Sequence, residues 1–307
     1  MGSSAVALPA GIVVLERGWL SANNVLLKGQ RTALVDSGYA THADQTVALV
    51  DQALGGRALD ALLNTHLHSD HCGGNAALQA RHPGVETFIP PGQAELVRHW
   101  DPVGLSYAPT GQLCPAFRFE GVLQPGMEVL LGSDTWEVHA APGHDPHSVV
   151  LFQPGHRLLM SADALWERGF GIVFPELDGV DAFDEVAATL DLIERLAPTT
   201  IIPGHGRVFT DVAGALAYAR QRLDGFARDP RRHALHAAKV LLKFKLLELQ
   251  RVPQIDLLNW ASQTSHLASI HANHFTTATP RDWVEQVARD LVASGAAAMD
   301  GDDFVNA

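Results

Sequence analysis

The sequence predicts an α+β protein: two strand-rich halves packed sheet on sheet, helices outside, and a helical appendage at the C-terminal end. Three observations predict it. Short apolar runs bounded by Gly, Pro, Asn and Asp recur through both halves, and each half is closed by segments of helical period. Four of those runs lead into residues of metal-ligand type, as strands of one sheet system do when their tips share a rim. From about residue 228 the composition shifts, and strand-like runs vanish until the very end.

In the first half, residues 11–16 form a strand, and 24–28 with 32–36 form a hairpin turned by Gly29-Gln30. A helix follows with Val47, Val50 and Leu54 on one face, stopped by Gly55-Gly56. Next come a strand over 59–64, a helix over 75–81, a strand over 85–89 and a helix over 91–99 begun by Pro91. Residues 100–120 lack a period and hold three prolines and two glycines, so they read as a long loop. Its aromatics, Trp100, Tyr107, Phe117 and Phe119, either cover a pocket or form a satellite apolar cluster.

The second half opens with strands over 128–131, 135–140, 148–152 and 157–161. Helix 181–196 carries Val186, Leu190, Ile193 and Leu196 at helical spacing, and strand 199–202 and helix 211–227 follow. Asp229-Pro230-Arg231-Arg232 reads as a linker. Beyond it, helix 234–250 is apolar at Leu235, Ala238, Leu242 and Leu249. The last helix has Thr279 as N-cap, Pro280 in the first turn and Gly295 past the end. A short hairpin around Asp300-Gly301 completes a winged-helix outline. The expected division is a catalytic domain over 1–212 and a helical domain over 213–307.

Hydrophobic residues make up 47% of the 307 and charged residues 18%, which suits a sizeable core. The net charge of −12 argues against nucleic acid held on a broad basic surface. No run has the length of a membrane span. The apolar stretch from Ala5 lacks a basic flank before Arg17, and Met1-Gly2 lacks the Ser or Thr that myristoylation wants at position 6, where Val6 stands. A cytoplasmic protein is expected. The two cysteines make no disulfide framework. Cys114 reads as a small buried apolar residue, and Cys72 as a group close behind a metal site.

That site is His66-Leu67-His68-Ser69-Asp70-His71, four ligand-type side chains in six residues at a strand end. Three more strands end alike: 136–138 leads to His144 through Pro142-Gly143, 158–160 leads to Asp163, and 201–202 leads to His205 through Pro203-Gly204. Glycine beside a ligand lets the backbone turn sharply and approach closely. Five histidines and two aspartates are too many for one tetrahedral ion. They fit two divalent ions, zinc first and iron or manganese as alternatives, with a position open for water. The expected assignment is His66, His68 and His144 on one ion, Asp70, His71 and His205 on the other, and Asp163 between them.

Over residues 11 to about 212 the chain resembles the metallo-β-lactamase-fold superfamily, in Asp36-Ser37-Gly38, the His66–His71 motif, Pro142-Gly143-His144, Ser161-Ala162-Asp163 and Pro203-Gly204-His205. The resemblance implies an αββα sandwich with a dinuclear site. An Asp at 163 resembles the glyoxalase II-like and lactonase-like branches, and the tail outline resembles the β-lactamase-like protein 2 group. The implied chemistry is hydrolysis of a small ester, thioester or lactone by a bridging hydroxide, with Asp70 orienting it and shuttling its proton. Endoribonuclease or phosphodiesterase activity with the same ions is one alternative. A mononuclear iron persulfide dioxygenase, using only part of the ligand set, is another.

Trp166, Phe170 and Phe174 follow Asp163 and supply either an acyl pocket or core packing. Tyr107 matches an oxyanion-assisting tyrosine of lactonase-like relatives by its place in the long loop. His147 reads as a support residue, and His266, His271 and His274 as surface or cap residues. The expected partner is a small molecule, with no membrane; a homodimer is compatible with the sequence.

Overall fold

The computed structural model describes residues 6–307; the Met1-Gly2 start lies outside them. Its elements in chain order are β1 (Ile12–Leu15), β2 (Asn24–Leu27), β3 (Ala33–Val35), α1 (Ala43–Leu54), β4 (Ala61–Leu63), α2 (Ser69–Cys72), α3 (Asn75–Arg81), β5 (Glu86–Ile89), α4 (Ala94–His99), α5 (Tyr107–Thr110), β6 (Gly121–Val122), β7 (Glu128–Leu131), β8 (Asp134–Ala140), β9 (Val149–Gln153) and β10 (Leu158–Ala162). Then come α6 (Phe174–Leu177), α7 (Phe183–Leu196), β11 (Thr200–Pro203), α8 (Val212–Arg228), α9 (Pro230–Leu249), β12 (Arg251–Pro253), α10 (Gln254–Gln263), α11 (Ser265–His274), α12 (Pro280–Ala293), β13 (Ala297–Asp300) and β14 (Asp303–Asn306).

Two sheets stack face to face. One runs β1-β2-β3-β4-β5-β6 and the other β11-β10-β9-β8-β7. The period of two along each strand divides the apolar residues between layers. Val25, Leu27, Val35 and Leu63 of the first sheet meet Trp136, Val138, Leu151 and Met160 of the second. The alternate residues Leu26, Leu34 and Leu62 face outward onto Val50 and Leu54 of α1 and Leu78 of α3. Across the molecule, Val150, Leu159 and Ile201 face Val186, Leu190 and Ile193 of α7 and Ala219 and Leu223 of α8. This is the four-layer αββα order.

The tail has its own core, from Ala234 of α9 through Trp283 and Val287 of α12 to Phe304 of β14. Ile172 and Leu177 from the segment after β10 reach into it, so tail and sandwich share a seam. The structure departs from expectation where α8 meets α9. Asp229-Pro230-Arg231-Arg232 is no linker: Pro230 opens α9 directly after α8, its missing N–H costing nothing in the first turn. Helix α8 packs its buried face on the sandwich side with α7. Residues 100–120 form a satellite cluster in which Leu105, Tyr107 and Phe117 pack on Leu67, Cys72 and Ile89, with the one helical turn α5 among them. Four helices, α9 to α12, precede the β13–β14 hairpin where the outline expected three, and β12 pairs with β14 beside that hairpin. None of the described helices is long and apolar enough to cross a membrane.

Candidate metal centre

Strand β4 ends at Leu63, and the chain then turns under a left-handed Asp36 (φ 59°). The Asp36 carboxylate accepts hydrogen bonds from Thr65 N at 2.9 Å and Thr65 Oγ1 at 2.8 Å, which pins the start of the histidine loop. Its Oδ2 also lies 2.8 Å from His71 Nδ1. That contact holds the Nδ1 proton and leaves His71 Nε2 as the lone-pair nitrogen, the arrangement metal-binding histidines use. His71 Nε2 is buried and has no hydrogen-bond partner.

The seven expected side chains converge as three overlapping donor groups: His66, His68 and His144; His66, His71 and Asp163; and Asp70, His71 and His205. His144 Nε2 lies 2.8 Å from His68 Nδ1 and 3.3 Å from His66 Nε2. Donors around one tetrahedral zinc at about 2.0–2.1 Å are about 3.3 Å apart, so this triad has the right scale. His205 Nε2 lies 3.0 Å from Asp70 Oδ2, which is 3.9 Å from His71 Nε2. Asp163 faces both groups: Oδ2 is 3.4 Å from His144 Nε2 and Oδ1 is 3.4 Å from His71 Nε2.

The electrostatics suit cations. Burial and the neighbouring imidazoles push the pKa of His66 down, and burial pushes His68 down to about 3. Both rings are neutral with lone pairs free, as a ligand requires. Burial opposes charge on His71, yet Asp36, Asp163 and Asp70 hold its pKa well above the ordinary imidazole value. Three carboxylates thus converge on one ring, an excess of negative charge that a divalent ion balances. Burial also opposes charge on Asp163, and His205 and His71 overcome it, so this carboxylate stays ionised.

Two glycines make the close approach. A Cβ on Gly204 would sit 2.2 Å from Asp163 Oδ1. Gly143 has φ +130°, and a Cβ there would strike Val186 of α7. Either substitution displaces a ligand loop.

Residues 17–205 match the Metallo-beta-lactamase superfamily. The chain belongs to that superfamily. It lies on the glyoxalase II-like branch, being 32% identical over 178 residues to a hydroxyacylglutathione hydrolase from Dechloromonas aromatica, which covers 58% of this chain and 54% of that protein. A second hydroxyacylglutathione hydrolase, from Anaeromyxobacter dehalogenans, is 32% identical over 215 residues, 70% of this chain and 72% of that protein. The chain thus spans about half the length of the first relative. Among solved structures, TTHA1623 in a di-iron-bound form aligns with a TM-score of 0.54 and 25% identity, covering 67% of this chain and 98% of its own.

Within this metallo-beta-lactamase superfamily member, a cavity of about 720 Å³ opens from the centre toward the tail. Trp166 and Phe174 line it. Trp166 Nε1 donates to Asp163 Oδ1 at 3.2 Å, and the Phe174 ring stands edge-on 4.8 Å from His68. Phe170 does not face the cavity: it is buried against Phe226 in the core beside α8. Tyr107 does not face the cavity either. Its hydroxyl donates to Leu67 O at 2.9 Å inside the satellite cluster, so its place in the loop says nothing of where the ring points. His147 packs over Gly92, away from the cavity. Among the tail histidines, His266 touches Phe174 at 6.0 Å between rings, while His271 bonds Ala278 O. Cys72 lies behind the ligand loop, its Sγ 3.3 Å from His68 O, and Cys114 is half-buried rather than buried.

Sequence reasoning missed three side chains here. Trp19, 58% exposed, stacks on His205 with centroids 5.2 Å apart. Asp36 was legible as part of a motif but not as the anchor of His71. Asp145 is buried 3.9 Å from His68 Nε2, and its place directly after His144 was the available signal.

Proposed function

We propose that this protein is a metal-dependent hydrolase of thioesters, with oxygen esters and lactones as lesser substrates. The observation that carries this reading is the pair of donor triads joined by Asp163 at one end of a mostly apolar cavity. The names of the hydroxyacylglutathione hydrolases support the thioester class. We further propose two divalent ions per chain, zinc first; the di-iron form of TTHA1623 supports a dinuclear centre and makes iron the alternative. His66, His68 and His144 would hold one ion, Asp70, His71 and His205 the other, and Asp163 would bridge them.

Bound divalent ions supply a water of lowered pKa and an electrophile for a carbonyl oxygen. The chain's own residues do the rest. Asp70, fixed by His205, orients the attacking water and takes up its proton. Trp166 and Phe174 exclude bulk water and seat the acyl group. The thiol leaves with a proton as the acid forms. We place the boundary between catalytic unit and tail at Asp229-Pro230, and the protein in the cytoplasm, where Cys72 and Cys114 stay reduced.

The test is metal content of protein purified without added metal or chelator, followed by a panel of thioester, ester and lactone substrates. Two ions per chain and thioester turnover are expected. One retained iron with oxygen consumption on a persulfide would replace this reading with the dioxygenase. Cleavage of RNA but no thioester would replace it with the nuclease.

A further inference from the structure

Arg222 of α8 stands where the catalytic cavity meets a second one. The first cavity, about 720 Å³, holds the metal-ligating residues and Trp166; the second, about 750 Å³, lies beyond. Arg222 and His236 line both. The guanidinium lies over the rings of Phe226 and Phe170, at 5.2 and 5.7 Å, which fixes its plane. Nη2 donates to His236 Nε2 at 2.6 Å. Nε is buried without a partner. No carboxylate pairs with Arg222 among the described residues; burial lowers its pKa, the neighbouring Tyr218 raises it, and the cation Arg232 lowers it.

Its surroundings are cationic as well. Arg168 lines the first cavity and Arg228 and Arg232 the second, and Asp224, the acidic group of the second cavity, is taken up by Arg228 at 3.7 Å. In a chain of net charge −12, cations gathered around one unpaired guanidinium are out of keeping with the rest of the molecule. A half-buried, aromatic-clamped arginine with open donors is the residue type that recognises phosphate or carboxylate through two parallel hydrogen bonds.

The path from the centre to Arg222 is short in structure. Trp166 bonds Asp163, Trp166 N donates to Gly169 O, and a Cβ on Gly169 would sit 2.9 Å from Arg222 Nη1. One tight turn thus touches a metal-ligating carboxylate at one end and the unpaired guanidinium at the other. Two joined cavities exceed the space that a small acyl group and a short thiol require.

We propose that Arg222, assisted by Arg232 and Arg168, forms a phosphate subsite for the thiol portion of the substrate, which makes the substrate class a thioester of a phosphorylated thiol of the coenzyme A kind. This rests on the thioesterase reading. The acyl group lies against Trp166 and Phe174, the thioester at the centre, and the phosphates at the junction of the cavities and in the second one. Specificity between a phosphorylated and an unphosphorylated thiol resides in Arg222.

The test is calorimetric binding to the metal-loaded full chain, with free coenzyme A, pantetheine (the same thiol arm without nucleotide phosphates), glutathione and inorganic pyrophosphate as probes. Coenzyme A binds at least about tenfold tighter than pantetheine, the difference shrinks as salt rises, and pyrophosphate competes with it. Arg222→Gln removes most of that difference. Arg232→Gln, on an exposed side chain, removes part of it and serves if Arg222→Gln fails to fold. Equal affinity for coenzyme A and pantetheine overturns the proposal, as does tighter binding of glutathione. Hydrolysis is scored separately on acyl-coenzyme A and acyl-glutathione. Phosphate-dependent binding without hydrolysis of either thioester leaves the subsite standing and removes the thioesterase reading. Hydrolysis with no preference for the phosphorylated thiol does the reverse.

Discussion

At the scale of single residues, the centre depends on a carboxylate that is not one of the expected ligands. Asp36 holds His71 Nδ1 while sitting in a left-handed conformation that only Gly, Asn and Asp adopt with ease. Asp36→Asn keeps that backbone and loses the charge behind the imidazole. It is expected to weaken metal binding at the site containing His71 by about 10–100-fold, read by competition with a chromophoric chelator. Unchanged affinity would show that the Asp36 charge contributes nothing to the ligand. Much of this site was legible because His66, His68, Asp70 and His71 fall within six residues, and His144, Asp163 and His205 each end an apolar strand. Trp19 and Arg222 were not legible. Each lies outside any motif, and only tertiary packing carries it to the cavity. Tyr107 shows the converse: a loop position identifies a neighbourhood, but side-chain direction depends on the apolar cluster beneath.

At the scale of elements, the tail grips the sandwich through a histidine. His233 in the first turns of α9 is 2% exposed, packed on Phe226 and Phe183, and accepts a hydrogen bond from Val173 N at 3.1 Å. The preceding residue, Ile172, offers its carbonyl to His144 Nδ1, so the same segment orients one of the proposed metal ligands. Burial, with Arg222 and His274, pushes the His233 pKa down to about 4 from 6.5. The unfolded chain therefore binds the proton first as pH falls, and stability present above pH 6.5 is lost progressively toward pH 4. At pH 5 the loss from this group is on the order of 2 kcal/mol. Urea midpoints at pH 7 and pH 5 measure it, and His233→Gln, which retains an acceptor but cannot titrate, flattens the difference. A midpoint shift as large in the variant as in the native chain would assign the effect elsewhere. The sequence marked this region as a linker because Pro and Arg interrupt the apolar period. It did not show that Pro230 begins a helix at once, since both roles use the same residue.

At the scale of the whole molecule, the two sheets bring their loop ends to one rim, where four carboxylates and five imidazoles are buried or half-buried together. Like charges so close are tolerated when a cation lies among them. Stripping divalent ions with a chelator is expected to lower the melting midpoint by on the order of 10 °C, with recovery on adding zinc. A midpoint insensitive to chelator would mean that the fold holds this cluster without ions. The four-layer order was readable from the short continuous apolar runs and the helical faces, because burial on both sides of a strand leaves apolar residues at every position. The seam between tail and sandwich was not readable, since Ile172 and Leu177 look like any other apolar residues until the tail core closes over them.

Trp19 lies nearly parallel to His205, with 8° between the rings, and Trp166 stands edge-on to both. An excited indole in face contact with an imidazole is quenched according to the charge that the imidazole carries. Binding of a cation by His205 is therefore expected to change the light that Trp19 emits, read by fluorescence as metal is added to chelator-treated protein.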